Sequence, residues 1–352
     1  MKIAVVLYNL GGPDRPEDVQ PFLFNLFNDP MIIAAPGPIR WLLARVISKR
    51  RVPIARDIYK HLGGGSPLLA NTEAQSAALQ TVLAGSGDDE YRTFVAMRYW
   101  HPQADAVARD VKAYGPDKIV LLPLYPQYST TTIGSFMRVW EKAIRSVGLN
   151  CPTSSICCYP TEPGFISATV EAVRAALQQA GTGRPVRILF SAHGLPKKIV
   201  EDGDPYQWQV EQTAKAVVDE LAIDGLDWLN CYQSRVGPLE WIAPATEDEI
   251  RRAGADGVAV VIVPLAFVSE HSETLVELDI EYRHVAAAAG VVGYHRTPTV
   301  SVADTFIAGL ARLVSVALSD TPSPCSGSVD RICPQSWSQC LCAVEGAVGR
   351  AG

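Results

Sequence analysis

Short, continuously apolar runs alternate with amphipathic stretches along most of the chain. The segments "KIAVVLYNL", "TFVAMRYW", "KIVLLPLYP", "VRILFSAHG", "LDWLNCY" and "VAVVIVPLAF" are too apolar for a sheet with one wet face, so they predict strands buried on both sides. Between them, apolar positions recur at helical spacing near 72–85, 103–113, 165–180, 207–221, 246–254, 270–288 and 303–318. This alternation predicts an α/β fold of parallel sheets with helices on both faces, and 352 residues give room for two such units. The seam falls near residues 150 to 163, in "NCPTSSICCYPTEPG". One domain is expected over 1–155, a second over 156–318 with its last helix free to pack back on the first, and a Cys-rich tail over 319–352.

Ligands of open α/β sheets bind beyond the carboxyl ends of the strands, so the polar residues at those ends carry the information. They are "YNLGGP"; Arg98, Tyr99, Trp100 and His101; "YPQYSTTTIGS"; Ser191, Ala192 and His193; "CYQSRVGP"; and "FVSEHSE". The last opens "FVSEHSETLVELDIEY", residues 267 to 282. On a regular helix Glu270, Glu273, Glu277 and Glu281 would fall in a stripe about 80° wide, with His271, Leu275, Leu278 and Tyr282 on the adjacent face. Each like-charge i,i+4 pair costs a helix about 0.2–0.5 kcal/mol, and no Lys or Arg follows until Arg283. A solvated surface would interleave Lys, so the stripe calls for another use. His193, expected in a turn at a strand end, would bring a second imidazole to the same edge. Two imidazoles and several carboxylates around one cleft suit an N/O site for a releasable divalent ion, a proton relay, or both. Repulsion among the carboxylates would raise some of their pKa values toward neutrality.

Charge and composition narrow the class. A net charge of −6, with 48% hydrophobic and 19% charged residues, describes a globular protein without the basic stripe of a nucleic-acid binder. With no apolar run of about 18 residues and an N-terminus interrupted early by Gly and Pro, a cytoplasmic protein is expected. Residues 31–51, "MIIAAPGPIRWLLARVISKRR", set Trp41, Leu42 and Leu43 beside Arg45, Lys49, Arg50 and Arg51. That pattern suits either a core helix with a solvated end or a lip resting peripherally on an anionic membrane, the inner membrane in that case. "HLGGGSP" lacks the Lys of a phosphate loop and is expected to be a tight turn. Of eight cysteines, Cys151, Cys157, Cys158 and Cys231 read as inert buried thiols. Cys325, Cys333, Cys340 and Cys342 crowd into the tail, where a reducing compartment favours metal or cluster ligation over disulfides.

"SAHGLP", "CYQSRVGPLEW" and "VPLAFVSEHSETLVELDIEY" resemble signature segments of the ferrochelatases, lyases that insert ferrous iron into a porphyrin late in haem synthesis. "LGGP", "GGGSPL", "MRYWHP" and "LPLYPQYSTTTIGS" fit the same family, so the resemblance covers residues 1 to about 318. It implies two Rossmann-like, doubly wound halves with the macrocycle between them, and Fe2+ and protoporphyrin IX or coproporphyrin as substrates. It implies that His193 accepts the pyrrole protons or ligates iron, that Glu273 is its metal-handling partner, and that His271, Glu277 and Glu281 extend a polar path along a helix with a π-type section. Leu10, Arg98, Tyr99, Tyr128 and Thr131 match pocket-lining positions. Arg98 suits either a propionate or an internal salt bridge. Trp100, Tyr125, Tyr128 and Trp241 are candidates to pack the ring.

The tail resembles the cluster-bearing members of the family. Animal-type members place one ligand within the segment matching "YSTTTIGS"; here that position is Thr130, so all four ligands are expected from the tail's C-x7-C-x6-C-x-C. Four thiolates suffice for a [2Fe–2S] cluster, and the spacing is unlike a zinc ribbon. The cluster is expected to have a structural or sensing role. A non-catalytic tetrapyrrole carrier and a cobalt or nickel chelatase remain rival readings, and monomer and homodimer both stay open.

Overall fold

The computed structural model describes residues 1–85, 87–181, 183–235, 237–319, 326–327 and 331–344. In chain order the first half comprises β1 (Lys2–Asn9), α1 (Val19–Phe27), α2 (Gly37–Lys60), α3 (Leu68–Ala84), β2 (Glu90–Met97), α4 (Ala104–Tyr114), β3 (Lys118–Pro123), α5 (Ile133–Val147) and β4 (Thr153–Ser155). The second contains α6 (Pro163–Ala180), β5 (Val186–His193), α7 (Lys197–Glu201), α8 (Tyr206–Leu221), β6 (Asp227–Gln233), α9 (Thr246–Ala255) and β7 (Ala259–Pro264). It closes with a π-helix (Glu273–Glu281), α10 (Tyr282–Ala288), β8 (Tyr294–Arg296), α11 (Asp304–Leu318) and, in the tail, α12 (Leu341–Val344).

Each half is a four-stranded parallel sheet, and the two share one topology: β2-β1-β3-β4 in the first, β6-β5-β7-β8 in the second. Successive side chains of a strand point to opposite faces, and here both faces are covered. Ile3, Val5 and Leu7 of β1 enter a core built with α3, α6, β5, β7 and α11, whereas Ala4, Val6 and Tyr8 pack beneath α4 and α5. Burial on both sides is why the strand sequences are continuously apolar rather than alternating.

The large central core passes from one sheet to the other through α6 and α11. α11 packs on α6, α3, β3 and β4 and so bridges the halves. The contact is close: a Cβ on Gly309 of α11 would lie 2.2 Å from Glu162 Oε2, and one on Gly164 2.1 Å from the Thr305 carbonyl oxygen. Glu162 also caps α6 by accepting the Phe165 N–H (2.8 Å) and pairs with Arg312 of α11. Among the described residues no helix is long and apolar enough to cross a membrane.

Candidate active site

In both sheets the chain leaves the first strand toward one side and returns past it to the other, so the switch-point crevice opens at the carboxyl ends of β1 and β3, and of β5 and β7. β5 ends on His193, and the exit from β7 leads to His271 and Glu273. His193 Nδ1 lies 2.6 Å from the Gly194 carbonyl oxygen. A carbonyl only accepts, so Nδ1 carries the hydrogen and, in the neutral ring, Nε2 keeps its lone pair. That nitrogen stands 3.8 Å from Glu273 Oε1, with the two side chains 40% and 23% exposed. Both groups therefore face the cleft. Two donors about 2.0–2.2 Å from a shared divalent ion stand roughly 3 to 4.3 Å apart, which brackets this separation.

Behind Glu273 stands Glu277. It accepts the Ser234 N–H (2.8 Å) and hydroxyl (2.5 Å), the Gln233 amide (3.1 Å) and the Tyr282 hydroxyl (3.0 Å). Ser234 has φ +59°, a left-handed conformation uncommon outside glycine, and its hydroxyl also lies 3.4 Å from Glu273 Oε2. The donors favour the ionised form of Glu277. Burial and the charge of Glu273 outweigh them and push its carboxyl above the ordinary value.

Three further groups close the site. His271 is buried against the Phe267 ring (centroids 4.7 Å apart), and its Nδ1 lies 3.1 Å from the Ser269 carbonyl oxygen. Burial lowers its pKa, so the imidazole is neutral. Tyr59, at the C-terminal end of α2, interacts with Ser272, and burial pushes its hydroxyl up to about 12. Tyr206, the first residue of α8, is buried in contact with the His193 backbone.

The acidic segment differs from a regular helix. Residues 273–281 are π-helical, with Tyr282 N–H donating to the Glu277 carbonyl five residues back, as the family resemblance implies. Glu270 precedes the helix and leaves the stripe altogether. It pairs with Arg296 (2.9 Å), which also holds Asp279 (2.7 Å), while Thr299 N–H donates to the same Glu270 carboxylate (2.9 Å). Burial works against ionisation of Glu270, but Arg296, Thr274 and Thr299 together bring its pKa below the ordinary value. Glu281 is exposed at the outer end. The cleft thus sees Glu273 and Glu277, and the expected four-carboxylate track narrows to this pair and its exit.

Of the expected pocket residues, Leu10, Arg98 and Trp241 are partly exposed, whereas Tyr99, Tyr128 and Thr131 are buried. Arg98 makes an internal salt bridge. Its guanidinium binds buried Asp29 (2.7 Å), which also receives the Tyr99 hydroxyl (2.7 Å) and that of Ser135, and it lies 4.5 Å from the Tyr99 ring centre. Trp241 packs over Gly194, where a Cβ would come within 3.2 Å of its Cε3. Ser234, Tyr59, Asp29 and Arg296 were not picked out from sequence. Only Ser234, within the polar strand end "CYQSR", carried a signal that could have found it.

The cysteines require a correction. Cys157 and Cys158, expected to be inert, follow β4 directly and join the tail: the sulfur atoms of Cys157, Cys340 and Cys342 lie within 4.8 Å of one another. Cys158 and Cys333 share the side-chain amide of Gln209 at 3.3 and 3.1 Å. Cys325 lies outside the described residues. The tail is held by Gln339, whose backbone N–H donates to the Gly203 carbonyl (3.1 Å) and whose side chain donates to that of Asp202 (3.1 Å). Folding it against β4 brings sulfurs together that are far apart in the sequence.

Paired doubly wound halves with an imidazole and unneutralised carboxylates at the strand exits define an α/β protein of the chelatase class. The family model for ferrochelatase matches residues 2–318. Ferrochelatase of Caulobacter vibrioides is 51% identical over 347 residues, covering 98% of this chain and 99% of that protein. Ferrochelatase of Pelagibacter ubique is 50% identical over 315 residues, covering 89% and 91%. Among solved structures, SirB from Bacillus subtilis with Fe3+ shares the fold, with a TM-score of 0.51 at 12% identity over 91% of this chain and 96% of that one. The chain belongs to the ferrochelatase family.

Replacing Arg296 by Met would strand Glu270 and Asp279, and breaking a buried pair in this way costs about 3–5 kcal/mol. Glu270 has a lowered folded pKa, so its contribution to wild-type stability is present above its unfolded value of 4.5 and is lost as pH falls through the folded one. The deficit of Arg296→Met, measured by denaturant unfolding, is therefore expected to be full at pH 7 and to shrink below pH about 4.5. A pH-independent deficit would contradict the pairing.

Proposed function

We propose that the protein inserts Fe2+ into protoporphyrin IX to form protohaem, a lyase reaction of haem biosynthesis that releases two protons. The observation that carries this reading is the open pair of His193 Nε2 and Glu273 Oε1, 3.8 Å apart with Glu277 behind it. Insertion replaces two pyrrole N–H hydrogens by one dication. The site must therefore present a base to the ring and give the protons a way out. The free lone pair of His193 faces the cleft as that base. Glu273 is placed to accept from it or to share the incoming iron, and Glu277, whose carboxyl holds a proton more readily than usual, is next in line toward exposed Glu281. His271, neutral and buried, borders the same space.

Anaerobic incubation with ferrous iron and protoporphyrin is expected to yield the haem spectrum, and no metalloporphyrin would refute the assignment. Product from coproporphyrin alone would reassign the substrate, and binding without turnover would leave a carrier. His193→Ala is expected to lower kcat by about 10²-fold or more with an unchanged unfolding midpoint. A fully active variant would move the base elsewhere.

We infer further that the grouped cysteines hold a [2Fe–2S] cluster. The donor set fits: Cys333, Cys340 and Cys342, completed by one of Cys157 and Cys158, supply four thiolates in an apolar surround with an amide aimed at two of the sulfurs. Such a cluster accepts one electron. None of these cysteines belongs to the His193–Glu273 pair, so we infer a structural or sensing part for the cluster. Cys333→Ser and Cys340→Ser are expected to lose the iron–sulfur charge-transfer bands of the isolated protein, while Cys325→Ser keeps them. Colourless protein with stoichiometric zinc would reject the cluster.

The outer face of α2 supports a peripheral membrane contact. Ile39, Trp41, Leu42, Leu43 and Val46 are exposed, Trp41 by 47% and Leu42 by 56%, beside exposed Arg45, Lys49 and Arg50. Co-sedimentation with phosphatidylglycerol vesicles is expected and should weaken several-fold in Trp41→Ser/Leu42→Ser. Equal recovery with and without vesicles would discard this contact.

A further inference from the structure

Gln209, on the first turn of α8, is completely buried. Its Nε2 donates to Cys158 Sγ (3.3 Å) and Cys333 Sγ (3.1 Å), and its Oε1 accepts the backbone N–H of Tyr128 (2.7 Å). The orientation is fixed chemically, because reversing the amide would set NH2 against the Tyr128 N–H. Each polar hydrogen of the amide therefore has a sulfur, and its oxygen has the backbone of the loop that follows β3.

The same few residues are tied to everything around them. Asp204, fully buried, accepts from the Ser129 hydroxyl (3.0 Å), the Thr130 N–H (2.7 Å) and the Thr130 hydroxyl (2.7 Å), which fastens that loop to the start of α8. Asp202 and Gly203 hold Gln339 of the tail, and Tyr206 touches His193. Between residues 202 and 209, the tail, the wall loop of the first half and the catalytic imidazole of the second meet on one short segment.

We propose that Gln209 is a positioning residue that couples the oxidation state of the cysteine-held cluster to the porphyrin pocket; this rests on the cluster reading above. N–H···S bonds strengthen when the sulfurs gain negative charge and so favour the reduced form. One planar amide cannot turn toward its sulfurs without moving the oxygen that holds Tyr128. By linkage, whatever changes porphyrin affinity on one-electron reduction must change the reduction potential on porphyrin binding by the same factor.

The test is a dithionite titration of the full-length holoprotein, followed by electron paramagnetic resonance, with and without saturating metal-free protoporphyrin. About a fivefold difference in porphyrin affinity between the two oxidation states corresponds to a shift of about 41 mV, at 59 mV per tenfold for one electron. Gln209→Met, with iron and sulfide contents retained, is expected to have a lower resting potential and no porphyrin-induced shift. A cluster-bearing wild type whose potential ignores porphyrin overturns the coupling alone, and this measurement stands even if Gln209→Met does not fold. A Gln209→Met protein that keeps both the potential and the shift also overturns it. Protein isolated without iron and sulfide removes the cluster reading and the coupling together.

Discussion

One guanidinium decides what the acidic segment can do. Arg296, mostly buried at the end of β8, takes Glu270 with one arm and Asp279 with the other. Were those carboxylates also turned to the cleft, four or more like charges would share one desolvated wall, and burial of that kind is resolved by neutralising the groups. With two of them paired, Glu273 and Glu277 are left at the cleft without an Arg or Lys partner among the described residues, Glu273 facing His193 instead. The π-helix belongs to the same arrangement. Its wider turns re-aim residues four apart relative to an α-helix, and such turns recur at functional sites despite their poorer packing.

The sequence was informative wherever tertiary structure only enforces what a local pattern states. All six apolar runs are strands, because both faces of the central strands are covered and most of their positions must be apolar. β4 and β8 were missed, since each is a three-residue edge strand with little apolar content. α1 and α5 do follow capping-type residues, Asp18 and Thr132, but neither side chain makes the cap hydrogen bond in the fold. α2 misleads in a different way. Its large apolar residues point outward, and what it buries is Ala44, Ser48, Val52 and Tyr59.

Site residues divided along the same line. His193 and Glu273 were legible because a strand end and a signature segment mark them. Asp29 and Arg296 were not, because a buried ion pair is defined by a partner distant in sequence: 69 residues separate Arg98 from Asp29, and 26 separate Arg296 from Glu270. The cysteine group is the extreme case. Thiolate spacing within the tail counted four candidates, whereas the fold supplies sulfurs from beside β4, about half the chain away.

The unneutralised pair also has a thermodynamic sign. A carboxyl whose folded pKa is raised stabilises the fold below its unfolded value and gives that up as pH rises through the folded one, so at neutral pH Glu277 opposes folding. The left-handed backbone at Ser234 adds strain, of order 1 kcal/mol or more. The N–H and hydroxyl of Ser234, the Gln233 amide and the Tyr282 hydroxyl reduce the cost of the buried charge without cancelling it. Donors hold the carboxylate in place without supplying a positive charge. A Lys or Arg there would supply that charge and lower the pKa of Glu277. Hydrogen bonding, rather than an ion pair with Lys or Arg, is what holds the Glu277 carboxyl in place.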